Sequence, residues 1–267
     1  MNLPRVILIT ANKFRHKYVA NQIGRGLSLV GIVSESKART LLDEPIPASF
    51  DPDARLMHEH LAEMAQIEQE YFGTFREFPN TDVLEIERGT VNSEAVHTWI
   101  RKHVPDMLLL YGCGLIKTPL LATYENRIIN MHLGLSPYYR GAATNFWPLV
   151  NREPEGVGAT IHLAVAHVDA GAILSQARPT PSLRDTAHEF GCKSIIVGTS
   201  CFINSTRDYF AERIYPKPQK EGGRIYRARD FNAAAVRQLR AHFETGMMGE
   251  FISDYSARVT RFPIIMG

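Results

Sequence analysis

The sequence predicts an α/β fold, a mostly parallel twisted sheet flanked by helices with a short C-terminal appendage. Three observations predict it. Short β-branched runs alternate with helix-period segments from residue 5 onward. The first strand, helix and strand are joined by links short enough for a βαβ unit. The composition, 45% hydrophobic and 22% charged over 267 residues, is that of a globular chain able to bury a substantial core.

Arg5 to Thr10 is too brief for a helix and rich in β-branched residues, so it reads as a buried strand. Val19, Ile23 and Leu27 recur at helical spacing from His16 to Leu27, and Leu29 to Ser34 is a second strand. Residues 35–50, with Pro45 and Pro47 and little periodicity, read as a surface loop. An acidic start and the set Leu56, Leu61, Met64, Ile67 and Tyr71 predict a long amphipathic helix from Asp51 to Phe72. Val83 to Ile86 is a strand, Ser93 to Lys102 a helix with Ser93 as N-cap, and Met107 to Tyr111 another strand. Arg127 to Met131, Gly158 to Leu163 and Ala172 to Gln176 complete the sheet. A helix capped by Asp185 runs to about Phe210, Tyr215 to Gly223 breaks the pattern as a linker, and Phe231 to Phe243 is a further helix capped by Asp230 or Asn232.

The net charge of +2 excludes a global field of the kind that coats nucleic acid or a membrane surface. That figure averages two opposed regions, a balance of −9 over residues 35–100 and +6 over residues 213–240. The basic run reads as a solvated face that would suit an anionic substrate if it lay beside a binding groove. The longest apolar run, Met107 to Ile116, contains two glycines and is too short to span a bilayer. Three widely spaced cysteines and the lack of an export signal predict a reduced, cytoplasmic protein. Gly24-Arg25-Gly26 ends a helix rather than opening one, so it is no dinucleotide loop. His58 and His60, two apart on a helix with no partner at i+4, read as a solvated face and not as metal ligands. The chain has no HExxH, CxxC or GxSxG motif.

The informative stretch runs from Asn130 to Trp147. Asn130 and His132 stand two apart at the carboxyl end of a strand, so amide and imidazole share one face, where open α/β sheets build their sites. An irregular loop with Ser136-Pro137-Tyr138-Tyr139-Arg140-Gly141 follows, and Val168-Asp169-Ala170-Gly171 can return an acid to the same place. These segments resemble the signature of the formyltransferases that use 10-formyltetrahydrofolate, closest in motif to the sugar N-formyltransferases. The likeness extends upstream through Leu109 to Ile116 and downstream through Gly158 to His162, covering about residues 105–180.

The resemblance implies a Rossmann-like formyltransferase fold, 10-formyltetrahydrofolate as co-substrate and no metal. Asn130 and His132 would stabilise the oxyanion of a tetrahedral intermediate, and Asp169 would favour the charged form of His132. The backbone of Tyr111, Gly112, Cys113, Gly114, Leu115 and Ile116, with Val168, would meet the folate. Tyr139, Arg140, Gly141, Asn145, Phe146 and Trp147 would line the acceptor groove, although helix-face packing accounts equally well for Phe146 and Trp147. The acceptor is expected to be a primary amine of a small molecule, anionic or nucleotide-linked, with an amino sugar favoured. A formyltetrahydrofolate hydrolase and a non-catalytic folate-binding regulatory protein are the alternatives. The tail is too short for the β-rich domain of methionyl-tRNA formyltransferases, and no domain precedes the first βαβ as in the hydrolases. Residues 1–214 are therefore expected to form the catalytic domain and residues 215–267 a linker and extension that shapes the acceptor site or a homodimer contact. Nucleic acid and membrane are not expected partners.

Overall fold

The computed structural model describes residues 3–36 and 51–267. The loop expected at residues 35–50 therefore lies almost wholly outside the described residues. Strands β1 (Arg5–Ala11), β2 (Ser28–Glu35) and β3 (Val83–Ile86) alternate with helices α1 (Phe14–Gly26) and α2 (Pro52–Phe72). Then come α3 (Glu94–Lys102), β4 (Met107–Tyr111), α4 (Thr118–Thr123) and β5 (Ile128–Leu133). After β6 (Tyr139–Gly141) and α5 (Trp147–Val150) the sheet is completed by β7 (Ala159–Leu163) and β8 (Ile173–Ala177). The chain closes with α6 (Ala187–Phe210), β9 (Arg224–Tyr226), α7 (Ala233–Glu244), α8 (Met247–Ser253) and α9 (Tyr255–Val259).

Among the described residues the main sheet has seven strands in the order β3-β2-β1-β4-β5-β7-β8. The first five are parallel, and β7 and β8 are antiparallel to their neighbours. Residues that alternate along β1 and β4 face opposite layers. Val6, Leu8 and Leu109 pack with α1 and α6, whereas Ile7, Ile9 and Leu108 pack with α3 and α4. Both faces of the sheet are thus covered by helices, which is why these strands read as continuous apolar runs.

Local capping signals place several helix starts. Asp51 accepts from Asp53 N at α2, and Ser93 accepts from Val96 N at α3. Asn232 caps α7. At α6 the cap is Thr186 and not Asp185: Thr186 and Glu189 form a reciprocal capping box. Asp185 instead accepts from Ser182 N and Lys193 Nζ.

The segment after β5, expected as an irregular loop, contains β6, which pairs in parallel with β9. A third core lies beneath it, built on Tyr139, Trp147, Phe190, Leu239 and Phe251. The opposed charge balances of the sequence meet here: Arg237 pairs with Asp53, and Arg240 with Glu59 and Glu63, joining α7 to α2. Arg224 is likewise neutralised by Glu153. The basic run is therefore partly spent on the protein's own acidic helix. No helix among the described residues is long and apolar enough to cross a membrane.

Candidate functional site

The carboxyl end of β5 carries the centre of the site. Asn130 and His132 project from one face of this strand, and the antiparallel neighbour β7 sets His162 directly opposite Asn130. Asn130 Nδ2 lies 3.1 Å from His162 Nε2. The other imidazole nitrogen, Nδ1, lies 2.8 Å from the Leu163 carbonyl, which can only accept. Nδ1 therefore carries the hydrogen; Nε2 accepts from the Asn130 amide when the ring is neutral, and faces Asp169 Oδ1, 3.6 Å away, when it holds a second proton. One amide hydrogen of Asn130 is fixed in this way, which orients the other.

His132 is buried, with Nε2 3.1 Å from the Tyr139 carbonyl and Nδ1 3.3 Å from Asp169 Oδ2. Acceptors at both nitrogens stabilise the ring when it holds two protons. Burial lowers the imidazole's pKa below its ordinary value, and the Asp169 carboxylate opposes that shift. Asp169 is itself largely buried, which would raise its pKa. His132, His162 and the Gly141 N–H at 3.0 Å outweigh this and hold the carboxyl at about 2.

The loop bearing Asp169 is fixed by its backbone. Asp169 has φ +49°, a conformation that aspartate tolerates better than most residues. Gln219 Nε2 donates to the carbonyls of Asp169 and Gly171, at 2.8 and 2.7 Å. Gly171 passes so close to β7 that a Cβ would stand 1.7 Å from the Leu163 carbonyl oxygen, so only glycine fits. The loop after His132 is held by Thr160, whose hydroxyl donates to Gly134 O and accepts from Ser136 N.

Two cavities meet at this centre. The smaller, about 280 Å³, is lined by Gly112 to Ile116, Leu110, Leu121, His162 and Val168. The larger, about 570 Å³, is walled by α2 and α6 and reaches from His132 to the partly buried Arg15–Glu68 ion pair. Asn130 and Asp169 border both.

Most of the residues expected at the site are brought together here. Tyr111 lines the larger cavity only, and Gly112 and Cys113 line both. In the hinge, Gly114 N–H donates to Glu35 and the Leu115 carbonyl accepts from Asn92, so these two backbone groups are already engaged. Gly141, Asn145 and Phe146 line the larger cavity.

Tyr139, Arg140 and Trp147 line neither cavity, contrary to the acceptor-groove expectation. The Tyr139 side chain is fully buried, and its hydroxyl donates to Glu153 and accepts from Asn151 and Arg224. Arg140 donates to the Gly222 carbonyl. Trp147 stacks on Tyr226 with ring centroids 4.3 Å apart and donates to the Ala142 carbonyl. Of the Phe146-Trp147 pair, one side chain faces the cavity and the other packs the core.

No role is expected of His162 from the sequence alone; its signal is its register opposite Asn130. His60 is expected on a solvated face. His60 is in fact buried in the wall of the larger cavity, because α6 and Phe231 cover that side of α2.

A family model described as formyl transferase matches residues 50–202. A methionyl-tRNA formyltransferase of Cyanothece sp. is 30% identical over 128 residues, 48% of this chain and 38% of that protein. The alignment thus spans about two fifths of that relative's length. In fold, the chain is similar to a phosphoribosylglycinamide formyltransferase from Anaplasma phagocytophilum, with a TM-score of 0.57 and 15% identity, covering 85% of this chain and 100% of that one. It is also similar to a formyltransferase from Anoxybacillus kamchatkensis solved in complex with UDP-4,6-dideoxy-4-formamido-L-AltNAc and tetrahydrofolate. That match has a TM-score of 0.51 and 17% identity, and covers 88% of this chain and 97% of that one. With the family match spanning more than half of its 267 residues and taking in Asn130, His132 and Asp169, the chain belongs to the formyl transferase family.

Proposed function

We propose that the protein transfers a formyl group from 10-formyltetrahydrofolate to a primary amine of a small-molecule acceptor. The observation that carries this reading is the meeting of two cavities at Asn130 and Asp169. A donor in the smaller cavity and an amine in the larger one would face each other across these side chains. The larger cavity, about 570 Å³, gives far more room than a water nucleophile needs, which favours transfer over hydrolysis.

In this reading the acceptor nitrogen attacks the formyl carbon, and the carbonyl oxygen becomes an oxyanion. Asn130, its amide oriented by His162, donates to that oxygen. His132 stabilises the same charge in its protonated form, gives a proton to the departing folate nitrogen and then takes up the proton lost by the acceptor amine, while Asp169 holds the imidazolium. The bond from the formyl carbon to that nitrogen then breaks, leaving a formamide and tetrahydrofolate.

A nucleotide-linked amino sugar is the acceptor to test first, supported by the motif resemblance and by the fold likeness to the Anoxybacillus formyltransferase. The test mixes the protein with 10-formyltetrahydrofolate, with and without candidate amines, and follows tetrahydrofolate release. Amine-dependent release is expected. Release of equal rate without amine would establish hydrolysis instead, and donor binding without release would establish a regulatory folate-binding protein.

A further inference from the structure

His60 and His188, in the wall of the larger cavity, form a second polar group with Glu63. His60 and Glu63 stand three apart on α2 and so share one face of it, and His188 reaches them from the first turn of α6. The two imidazole rings lie 4.5 Å apart between centroids, and Glu63 Oε2 lies 3.9 Å from His188 Nε2. One ligating atom from each of the three side chains falls within 4.8 Å of the others.

The surroundings of the His60 ring are largely apolar. Phe146 and Phe231 contact the His60 ring at 5.7 and 5.8 Å, and Leu61, Met64 and Ala187 line the cavity beside it. Both imidazoles line the cavity, so their ring nitrogens are open to a ligand there. Burial, reinforced by neighbouring positive groups, pushes the pKa of His60 down to about 4; burial does the same for His188. Arg240 donates to Glu63 Oε1 at 2.9 Å and leaves Oε2 turned towards His188. The arginine charge works against a cation, yet it also fixes the carboxylate as an outer partner does in metal sites.

We propose that His60, Glu63 and His188 form a site for a divalent transition-metal ion of the zinc class, on the acceptor side of the cavity. Two imidazoles and one carboxylate are a donor set that such ions accept while keeping a further position open. Bonds of about 2.0–2.1 Å would set tetrahedral donors roughly 3.3 Å apart, so the trio must close by about 1.5 Å at its widest, within the reach of side-chain rotation. His60 and His188 are part of the cavity wall, so the open position faces the space where an acceptor would lie. An oxygen-bearing acceptor would bind there through the ion. The site itself stands independently of the formyl-transfer reading.

The test uses the full chain, freed of metal with a chelator and titrated with zinc chloride by calorimetry, and with cobalt chloride by visible absorption. Saturable uptake of one equivalent is expected, with a cobalt spectrum of tetrahedral type. His188→Ala should weaken uptake by at least about 100-fold, as loss of a direct ligand leaves two protein donors. Glu63→Gln, at an exposed helix position, should weaken it as well and keeps the test open if His188→Ala loses its fold. Absence of saturable uptake by the unmodified protein overturns the proposal, and so does wild-type affinity in the folded variants.

Discussion

Asp169→Asn removes one charge from the site at almost constant shape. The asparagine oxygen can still accept from Gly141 N–H, so the loop keeps its anchor. What is lost is the carboxylate 3.3 Å from His132 Nδ1, a group whose side chain is only 11% exposed. At an effective dielectric constant of about 20, that pair is worth roughly 5 kcal/mol, an upper figure for what the imidazolium gains. Close charge pairs measured elsewhere span about 1.5–7 kcal/mol, so a loss of about 3–4 kcal/mol is expected, or roughly 10²- to 10³-fold in turnover. The assay is amine-dependent tetrahydrofolate release, with kcat and donor KM measured separately. In the variant kcat should fall while donor KM stays near wild type, and the His132 titration followed by NMR should move to lower pH. Turnover within about threefold of wild type, with an unmoved His132 titration, would refute the role given to this pair.

His162→Leu should free the Asn130 amide from its cross-strand partner and lower kcat about tenfold, with donor affinity retained; unchanged kcat would show that Asn130 needs no such partner. Tyr139→Phe deletes a hydroxyl bonded to Glu153, Asn151 and Arg224, and should cost about 1–2 kcal/mol in urea denaturation, with no change in acceptor KM. A changed KM there would restore Tyr139 to the acceptor groove. Asp169 titrates at about 2 in the folded protein against about 3.9 unfolded, so on acidification the unfolded chain takes up this proton first. The associated stability, about 2.5 kcal/mol, is present above pH ~4 and is lost between about pH 4 and 2. Denaturation at pH 5 and at the lower end of that window should show this drop in the wild type and a smaller one in Asp169→Asn.

The parts of the fold that could be read from the sequence are those whose signals are local. The β-branched run of β1, the apolar run of β4, the helical spacing of Val19 and Ile23, and the caps Asp51 and Ser93 each declare an element within a few residues. β6 and β9 escaped because each is three residues long and exists only through its pairing with the other, far along the chain. α4, α8 and α9 are likewise short. In the site, Asn130 and His132 were legible as a same-face pair on one strand. His60 was not, because its burial is created by His188 and Phe231, neither of which is near it in sequence. Tyr139 was misread for a related reason: its backbone carbonyl serves the site through His132, while its side chain belongs to the core.

The short ribbon of β6 and β9 bears on the order in which this protein matures. His132 leans on the Tyr139 carbonyl and Asp169 on the Gly141 N–H, both groups of β6. That strand is held in register by Arg224 to Tyr226, and Gln219 pins the Asp169 loop from the segment just before it. A growing chain can lay down the parallel strands early, but these groups cannot settle until residues beyond 219 have emerged and closed a long loop. The polar centre is thus assembled late in synthesis, and a chain interrupted before β9 would carry Asn130, His132 and Asp169 without the geometry that joins them.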